Sequence, residues 1–314
     1  MGDSRCTIPE LTRSLNTTPS GWVYWKTMPT PSARCTGLGL ALALLVSAPA
    51  MAQRPGPMLP GVLRVCVDPD NLPMSNQAGE GVENKLAELL ASTWHSRLEY
   101  IYWAAPRGMM RMLNGRYCDV WLQMPVLSDM AGVTRPYFRT SYVIVQRRTA
   151  AHPVTSLDDP ALKTMRIGVH LFAADGENTP PAMALSRHGV VGNLVGFSTT
   201  YTGDMNRPED IIKAVVSDSI DVAIVWGPIA GYYTRQLGAD LVLRPIERDS
   251  VSGIPFAYSM GMATRRADRA FRDSLQGFID TKGAEIRAIL DQFGIPLLPI
   301  PADTGRGSPA GPAR

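Results

Sequence analysis

Short apolar runs alternate with helical patterns along the chain, beginning with "VLRVCV" at residues 62 to 67, which predicts a buried strand. Apolar residues then recur at helical spacing and predict an amphipathic helix over 82 to 94: Val82, Leu86, Leu89, Leu90 and Trp94. A second strand is predicted at 98 to 103, a short helix from about Pro106 to Leu113, and a third strand at 118 to 124. This order is a βαβαβ unit.

A second series of the same kind starts with the strand "SYVIVQRR" at 141 to 148. It continues with a short capped helix, the strands "RIGVH" and "NLVGFST", and an amphipathic helix that leads into the strand "DVAIVW". The strand "YSMGMATRR" at 258 to 266 then returns to the first series, and helices over about 267 to 292 are expected to pack onto it.

Alternation of strands and helices is typical of a parallel sheet that is covered on both faces. The two series therefore predict an α/β fold of two doubly wound lobes that are joined by two crossing strands. Lobe 1 would contain residues 61–146 and 256–300, and lobe 2 residues 147–255.

Two such lobes enclose a cleft, and ligands of open α/β sheets bind at the carboxyl ends of the strands. We expect the cleft lining to come from five segments that follow strands: 68–73, 103–107, 123–125, 170–175 and 226–228. The candidate binding residues in and beside these segments are Asp68, Asn71, Trp103, Arg107, Gln123, Tyr137, His170, Asp175 and Trp226.

Structural roles compete with ligand binding at several of these positions. Asp68 and Asn71 also suit a turn, because their side chains bond to nearby backbone. Arg107 suits a solvated surface equally well, and His170 a hydrogen-bonded structural position. Glu83 begins the first predicted helix, where a negative side chain complements the helix dipole.

Residues 1–52 are interpreted as a leader. The apolar core "TGLGLALALLV" follows Arg34 and precedes the small-residue triplet at 50 to 52, which is the layout of a signal peptide cleaved after Ala52. A run of about 11 apolar residues is too short for the roughly 20 that span a bilayer. We therefore expect export to the periplasm without a membrane anchor.

Both ends of the chain carry a further expectation. The stretch Met1 to Thr27 is too long and mixed for a normal leader and is interpreted as an over-extended gene start. Residues 301–314 are proline, glycine and small residues with nothing to bury, so they are expected to be disordered.

Charge and cysteine content exclude some classes of protein. The formal charge of +3 is small and its basic residues are scattered, so no nucleic-acid partner is expected. Beyond the leader only Cys66 and Cys118 remain. In an oxidising compartment they predict one disulfide, with two buried free thiols as the alternative. The histidines are far apart and predict no metal site.

The residues also carry a resemblance. The order of "RVCVDPDNLP", "GEGVENKLAELLA", "LNGRYCDV" and "TRPYFRTSYV" resembles the family 3 extracellular solute-binding proteins. With "DGENTPPAMAL" and "VWGPIAGYY", residues 61 to 297 are similar, more narrowly, to the quinoprotein dehydrogenase-associated binding proteins, the J proteins of methanol oxidation.

The resemblance implies the type II periplasmic-binding-protein fold and, as partner, a quinoprotein methanol or alcohol dehydrogenase. It implies no resident cofactor and leaves open pyrroloquinoline quinone (PQQ) as a transient ligand.

Amino-acid receptors of the wider family resemble one another at two charged anchors that this sequence lacks. The first anchor is an arginine after the third strand that binds the ligand carboxylate, and here no arginine occurs until Arg135, near the crossover. The second is an aspartate that pairs with the ligand ammonium group, and the equivalent stretch ends here in Trp226. A zwitterion held without counter-charges would cost several kcal/mol. Amino-acid binding is therefore disfavoured.

Aromatic residues are expected around the cleft instead, and these suit an apolar or planar ligand or a segment of a partner protein. They are Trp103, Trp121, Tyr137, Phe172, Trp226, Tyr232 and Tyr233. Trp121 lies in the middle of a strand and is expected in the core rather than in the cleft.

No nucleophile elbow, phosphate-binding loop or zinc-protease helix occurs in the sequence, so no enzymatic activity is predicted. The leading hypothesis is an accessory protein that holds part of the dehydrogenase, or its PQQ, in an aromatic-rich cleft during maturation or activation. The alternatives are an importer receptor for a small uncharged or aromatic solute, and an enzyme that uses Asp68, Glu83 or His170.

Overall fold

One mixed sheet of ten strands and one two-stranded hairpin organise the part of the chain that the structure describes. The structure is a computed structural model, and it describes residues 57, 59–103, 106–171, 178–199 and 207–302, with only the backbone at Pro106 and Arg107. The leader, residues 1–52, and almost all of the predicted tail lie outside the described residues.

The strands are β1 (Val62–Val67), β2 (Asp70–Asn71), β3 (Ser75–Asn76), β4 (Arg97–Tyr102), β5 (Val120–Pro125), β6 (Gly132–Val133), β7 (Phe138–Arg147), β8 (Ile167–Leu171), β9 (Leu194–Ser198), β10 (Val222–Trp226), β11 (Leu241–Pro245) and β12 (Ala257–Thr264). The helices are α1 (Val82–Thr93), α2 (Pro106–Asn114), α3 (Pro180–Arg187), α4 (Asp210–Val216), α5 (Gly227–Gln236), α6 (Arg269–Thr281) and α7 (Gly283–Gln292), with a 3₁₀ helix at Pro160–Lys163.

Two parallel groups of strands meet at a pair of antiparallel strands in the centre of the sheet. The strand order is β4-β1-β5-β12-β7-β10-β8-β9, with β6 beside β12 and β11 beside β7. Strand β1 is parallel to β4 and β5, and β8 is parallel to β9 and β10. The long strands β7 and β12 pair with each other and connect the two groups. The predicted fold class, with two crossing strands, is confirmed, whereas the exact lobe boundaries stay a prediction.

The largest core cluster covers one face of the first group of strands. The predicted stripe of α1 is buried there at Val82, Leu86 and Leu90, against Leu63 and Val65 of β1. Helices α6 and α7 close the same cluster, as expected. Burying one leucine of this kind stabilises the fold by roughly 2 kcal/mol.

The predicted disulfide joins Cys66 of β1 to Cys118, with 5.5 Å between their Cα atoms. Both residues are fully buried. The neighbouring Asp119 is also fully buried, and its carboxylate accepts hydrogen bonds from the backbone and guanidinium of Arg64, at 3.1 and 3.2 Å. Arg265 lies 3.7 Å from the same carboxylate. This pairing satisfies a charge whose burial would otherwise be costly.

Several short elements were not predicted, among them the hairpin, β6, β11 and α3. The hairpin of β2 and β3 has two polar residues on each side and therefore no apolar pattern. Strand β11 ends in Pro245, and among the described strands it pairs with β7 at the edge of the sheet. Helix α3 begins with Pro180 directly after Thr179, a helix start that needs no long apolar stripe.

In the described ranges, none of the helices combines the length and the apolar character that a membrane span requires.

Candidate functional site

An apolar cavity of about 560 Å³ lies where β5 ends beside β12. Its walls come from α2, β5, the turn after β5 and the start of β12. The lining residues are Met110, Trp121, Met124, Pro125, Val126, Leu127, Ser128, Met130, Pro255, Ala257, Tyr258 and Ser259. None of these side chains carries a charge. The cavity can therefore hold an apolar or aromatic group, and it offers no partner to a buried ion.

Backbone pairing fixes the turn that forms one wall. Met260 of β12 pairs with Pro125, and the N–H of Val126 donates to the carbonyl of Ser259 at 3.0 Å. The N–H of Ser128 then donates to the carbonyl of Pro125, also at 3.0 Å, and closes the turn. The turn exposes two large apolar side chains, Leu127 at 85% and Met130 at 61%. Exposed apolar groups beside a cavity are typical of a binding surface.

A chain of aromatic rings connects this cavity to the end of β10. The ring of Tyr258 lies 5.8 Å from that of Trp226, which lies 5.2 Å from Tyr142. Tyr142 in turn lies 5.8 Å from Phe256. The prediction singled out Trp226 but missed Tyr142, Phe256 and Tyr258. All three lie on or beside the two crossing strands, which is the signal that could have identified them.

Trp121 was expected in the core. It is instead only partly buried, and it lines the cavity. The side chains of Trp121 and Ser75 lie beside the carboxyl group of Glu83, and both lower its pKa against the larger effect of burial. Trp121 therefore connects the cavity wall to a buried carboxyl group at the start of α1.

Glu83 differs from its expected role. It is only 4% exposed, and burial raises its pKa to about 8, with a further upward contribution from the nearby carboxylate of Asp68. At neutral pH the carboxyl group is therefore uncharged, and an uncharged group does not complement the helix dipole. The interpretation of Glu83 as a helix-dipole residue was wrong.

Asp68 adopts the turn role that competed with ligand binding, whereas Asn71 takes part in the turn through its backbone. The N–H of Asp70 donates to the carboxylate of Asp68 at 3.0 Å, and the N–H of Asp68 donates to the hydroxyl of Ser75 at 3.1 Å. The carbonyl of Asn71 accepts from the N–H of Met74 at 2.8 Å. A ligand role for Asp68 or Asn71 stays a prediction.

Tyr137 lies on the core side of the first group of strands. Its hydroxyl donates to the carbonyl of Leu122 at 2.7 Å, and its ring lies 4.9 Å from that of Phe138. Burial raises its pKa well above the usual value, with a contribution from Glu83. The structure thus brings Tyr137 and Asp68 together around Glu83.

The remaining candidates are spread over the sheet. Trp103 follows β4 and is 40% exposed, with its indole packed over Gly108. Gln123 is partly buried on β5 and is not among the lining residues of the cavity. Asp175 and Phe172 lie outside the described residues, as does the side chain of Arg107.

His170 lies on β8, which is separated from β12 in the sheet by β10 and β7. It is buried, and burial lowers its pKa to about 4, so the imidazole is neutral at pH 7. Among the described residues, no group of three or more His, Cys, Asp or Glu side chains could hold a metal ion.

The charged anchors of amino-acid receptors have no counterpart at the cavity. The guanidinium of Arg135 pairs with Asp280 of α6 at 2.7 Å, and its backbone N–H donates to Gln276. At the second anchor position Trp226 contributes a ring rather than a carboxylate. The exclusion of amino-acid binding stays a prediction.

Comparison with known proteins identifies relatives, although no family model matches the chain. A protein named MoxJ from Methylorubrum extorquens strain AM1 is 24% identical over 251 residues, which are 76% of this chain and 83% of that protein. The MoxJ protein of Paracoccus denitrificans is 26% identical over 284 residues, 82% of this chain and 95% of that protein. Among solved structures, the periplasmic binding protein XoxJ from Methylobacterium extorquens AM1 is 30% identical, with a TM-score of 0.62. The match covers 76% of this chain and 100% of that chain.

Proposed function

The chain belongs to the family of XoxJ- and MoxJ-type periplasmic binding proteins, and we propose that it is a periplasmic accessory protein for a PQQ-dependent methanol or alcohol dehydrogenase. In this role it holds an apolar segment of the dehydrogenase in the cavity between β5 and β12 while the enzyme matures or is activated. Residence in the periplasm is part of the proposal.

The uncharged lining of the cavity is the observation that carries the proposal. Apolar surface gains roughly 25 cal/mol for each Å² removed from water, and aromatic rings such as Trp121 and Tyr258 provide large contact areas. An amino acid would leave both of its charges unpaired in this cavity. An apolar side chain of a partner would leave none.

The cavity suits a segment of the enzyme better than it suits PQQ. PQQ carries several carboxylates, and the lining contains no arginine, lysine or histidine. Moving those carboxylates out of water without a counter-charge would be strongly unfavourable. The residues around this cavity therefore do not fit the free cofactor.

Co-purification from the native periplasm tests the proposal directly. A tagged full-length chain is expected to retain the dehydrogenase, and a deletion strain is expected to contain dehydrogenase with lowered activity and lowered PQQ content per polypeptide. Expression of the chain from a plasmid should restore both. A fully loaded, active enzyme in the deletion strain, together with no retained dehydrogenase, would contradict the proposal.

The cavity volume favours a second candidate, an importer receptor for a small uncharged or aromatic solute. About 560 Å³ lies within the range of small-molecule sites, roughly 300–1,000 Å³. A ligand that binds only the folded state raises the melting temperature by mass action, so a thermal-shift screen of neutral aromatic solutes tests this role. A growth defect of the deletion strain on the solute that binds would favour import over enzyme maturation.

A further inference from the structure

A second cavity, of about 600 Å³, lies beside the segment 126–133 and has three arginines in its wall. Its lining residues are Val126, Ser128, Ala131, Gly132, Val133, Arg266, Arg269 and Arg272. Val126 and Ser128 also line the apolar cavity. The turn after β5 is therefore a shared wall, with an apolar cavity and a basic cavity next to each other.

Two of the three arginines are not neutralised by the fold. In the part of the chain that the structure describes, neither Arg266 nor Arg269 forms an ion pair with a carboxylate. Arg266 donates to the backbone carbonyl of Asp129. Arg272 pairs with its neighbour Asp273 at 2.8 Å. Two further acidic residues lie nearby: Asp268 is bound by Arg265, and Asp129 meets Arg266 through its backbone carbonyl.

Two of these arginines lie at the start of α6, where a positive charge is unfavourable. Arg269 is the first residue of α6 and Arg272 lies one turn further on, whereas Arg266 precedes the helix. The first turn contains no acidic residue, and the acidic N-cap residue, Asp268, pairs with Arg265. A helix amino terminus carries a partial positive charge, so cations there cost a few tenths of a kcal/mol to about 1 kcal/mol each. The stability of α6 does not explain two arginines at its start with a third just before it, whereas an anionic partner would.

The shared turn indicates that this partner is a protein. Leu127 and Met130 are 85% and 61% exposed, and a small molecule within either cavity would leave much of both side chains in water. A protein surface laid across the turn would cover them. Arginine and methionine are also enriched in protein–protein interfaces, where lysine and aspartate are depleted.

We propose that Leu127, Met130, Arg266, Arg269 and Arg272 form one docking surface for an acidic segment of a partner protein. An apolar side chain of that segment enters the apolar cavity, and flanking carboxylates bind the arginines. The chemistry of the segment follows from the two cavities alone. Its assignment to the dehydrogenase rests on the function proposed above.

Three probes and two matched variants test the docking surface. The probes are a fluorescein-labelled peptide of alternating glutamate and leucine, the purified native dehydrogenase, and free PQQ as a small aromatic polycarboxylate. One variant combines Arg266→Gln, Arg269→Gln and Arg272→Gln. The control variant combines Arg97→Gln, Arg148→Gln and Arg287→Gln. These arginines are exposed and lie outside both cavities, so the control loses the same three positive charges as the first variant. Thermal unfolding confirms that both variants fold.

We expect the first variant to bind the peptide and the dehydrogenase at least tenfold more weakly than the wild type. Its affinity should also depend less on salt concentration, because the charges that ions screen in the wild type have been removed. The control variant should stay within twofold of the wild type. Equal binding of the dehydrogenase to the wild type and the first variant would overturn the docking surface and leave the proposed function standing.

The other outcomes separate the two proposals. Arginine-dependent binding of the peptide, without binding of the dehydrogenase to any variant, would support the surface and overturn the proposed partner. Arginine-dependent binding of PQQ, without binding of the peptide or the dehydrogenase, would overturn the docking surface in favour of a small-anion site.

Discussion

Trp226 and Tyr258 form an edge-to-face pair, with ring centroids 5.8 Å apart and an interplanar angle of 66°. Trp226 ends β10 in the second group of strands, whereas Tyr258 begins β12 and lines the apolar cavity. The pair therefore connects the cavity wall to the part of the sheet that does not line it. A change at Trp226 should reach the cavity through Tyr258.

Replacement of Trp226 tests this connection. Trp226→Ala removes ring contacts with Tyr142 and Tyr258, and we expect a loss of about 2–3 kcal/mol in the free energy of unfolding, since Trp226 is partly buried. Trp226→Phe keeps an aromatic ring and should lose about half as much. Urea denaturation measures both, and an alanine variant as stable as the wild type would show that the pair contributes nothing.

Glu83 makes stability depend on pH between 4.5 and about 8. Its pKa in the fold is about 8, against a usual value of 4.5, so between these values the folded protein retains a proton that the unfolded chain has lost. Stability due to Glu83 is then fully present below pH 4.5 and falls by about 1.4 kcal/mol per pH unit up to pH 8. Glu83→Gln should remove this fall. Urea denaturation at pH 6.5 and pH 8 measures it, and a decline in the glutamine variant as steep as in the wild type would refute the assignment.

His170 acts in the opposite direction at lower pH. Its pKa in the fold is about 4, below the usual 6.5, so the unfolded chain binds a proton first as the pH falls. The contribution of His170 is present above pH 6.5 and is lost towards pH 4. Between pH 4.5 and 6.5, rising pH adds stability through His170 and removes it through Glu83. The two changes therefore offset each other in the wild type. We expect His170→Gln to expose a continuous decline of unfolding free energy from pH 4.5 to 8, and a flat profile below pH 6.5 would contradict this.

The disulfide should contribute a large part of the total stability. Cys66 and Cys118 are 52 residues apart, and closing a loop of that length restricts the unfolded chain by about 4 kcal/mol. The double variant Cys66→Ala, Cys118→Ala should lose roughly that amount in chemical denaturation. Because both cysteines are buried, a mild reductant added to the folded protein should change little. Equal stability of the double variant and the wild type would exclude this role.

The strands and helices with long periodic patterns could be predicted from the sequence, and β1, α1, β5, β7 and β12 lie close to their predicted ranges. The cavity could not be predicted in the same way. Met110, Trp121 and Tyr258 meet because β12 returns beside β5, and the order of strands in a sheet depends on long-range packing rather than on local spacing. The carboxyl-end rule led to the segment 123–125, of which Met124 and Pro125 line the cavity, but also to Gln123 and His170, which do not.

Glu83 shows a second limit of sequence analysis. A glutamate in the first turn of a helix is ordinarily a solvated charge. Only the tertiary structure places Ser75, Asp68 and Trp121 around it and removes water. These neighbours come from β3, from the loop after β1 and from β5. The identity of a residue and its helix position are therefore insufficient to predict its protonation state.

Filling the apolar cavity is the most direct test of the central claim. Ala257 lines the cavity, so Ala257→Leu places three additional carbon atoms in the space that the partner segment would occupy. Ala288→Leu, on an exposed position of α7, adds the same group away from the cavity. In calorimetric titration with the purified dehydrogenase, we predict that Ala257→Leu weakens binding at least tenfold, while Ala288→Leu binds like the wild type. Equal affinity of all three proteins, each with a normal thermal unfolding transition, would contradict the claim that this cavity holds the partner.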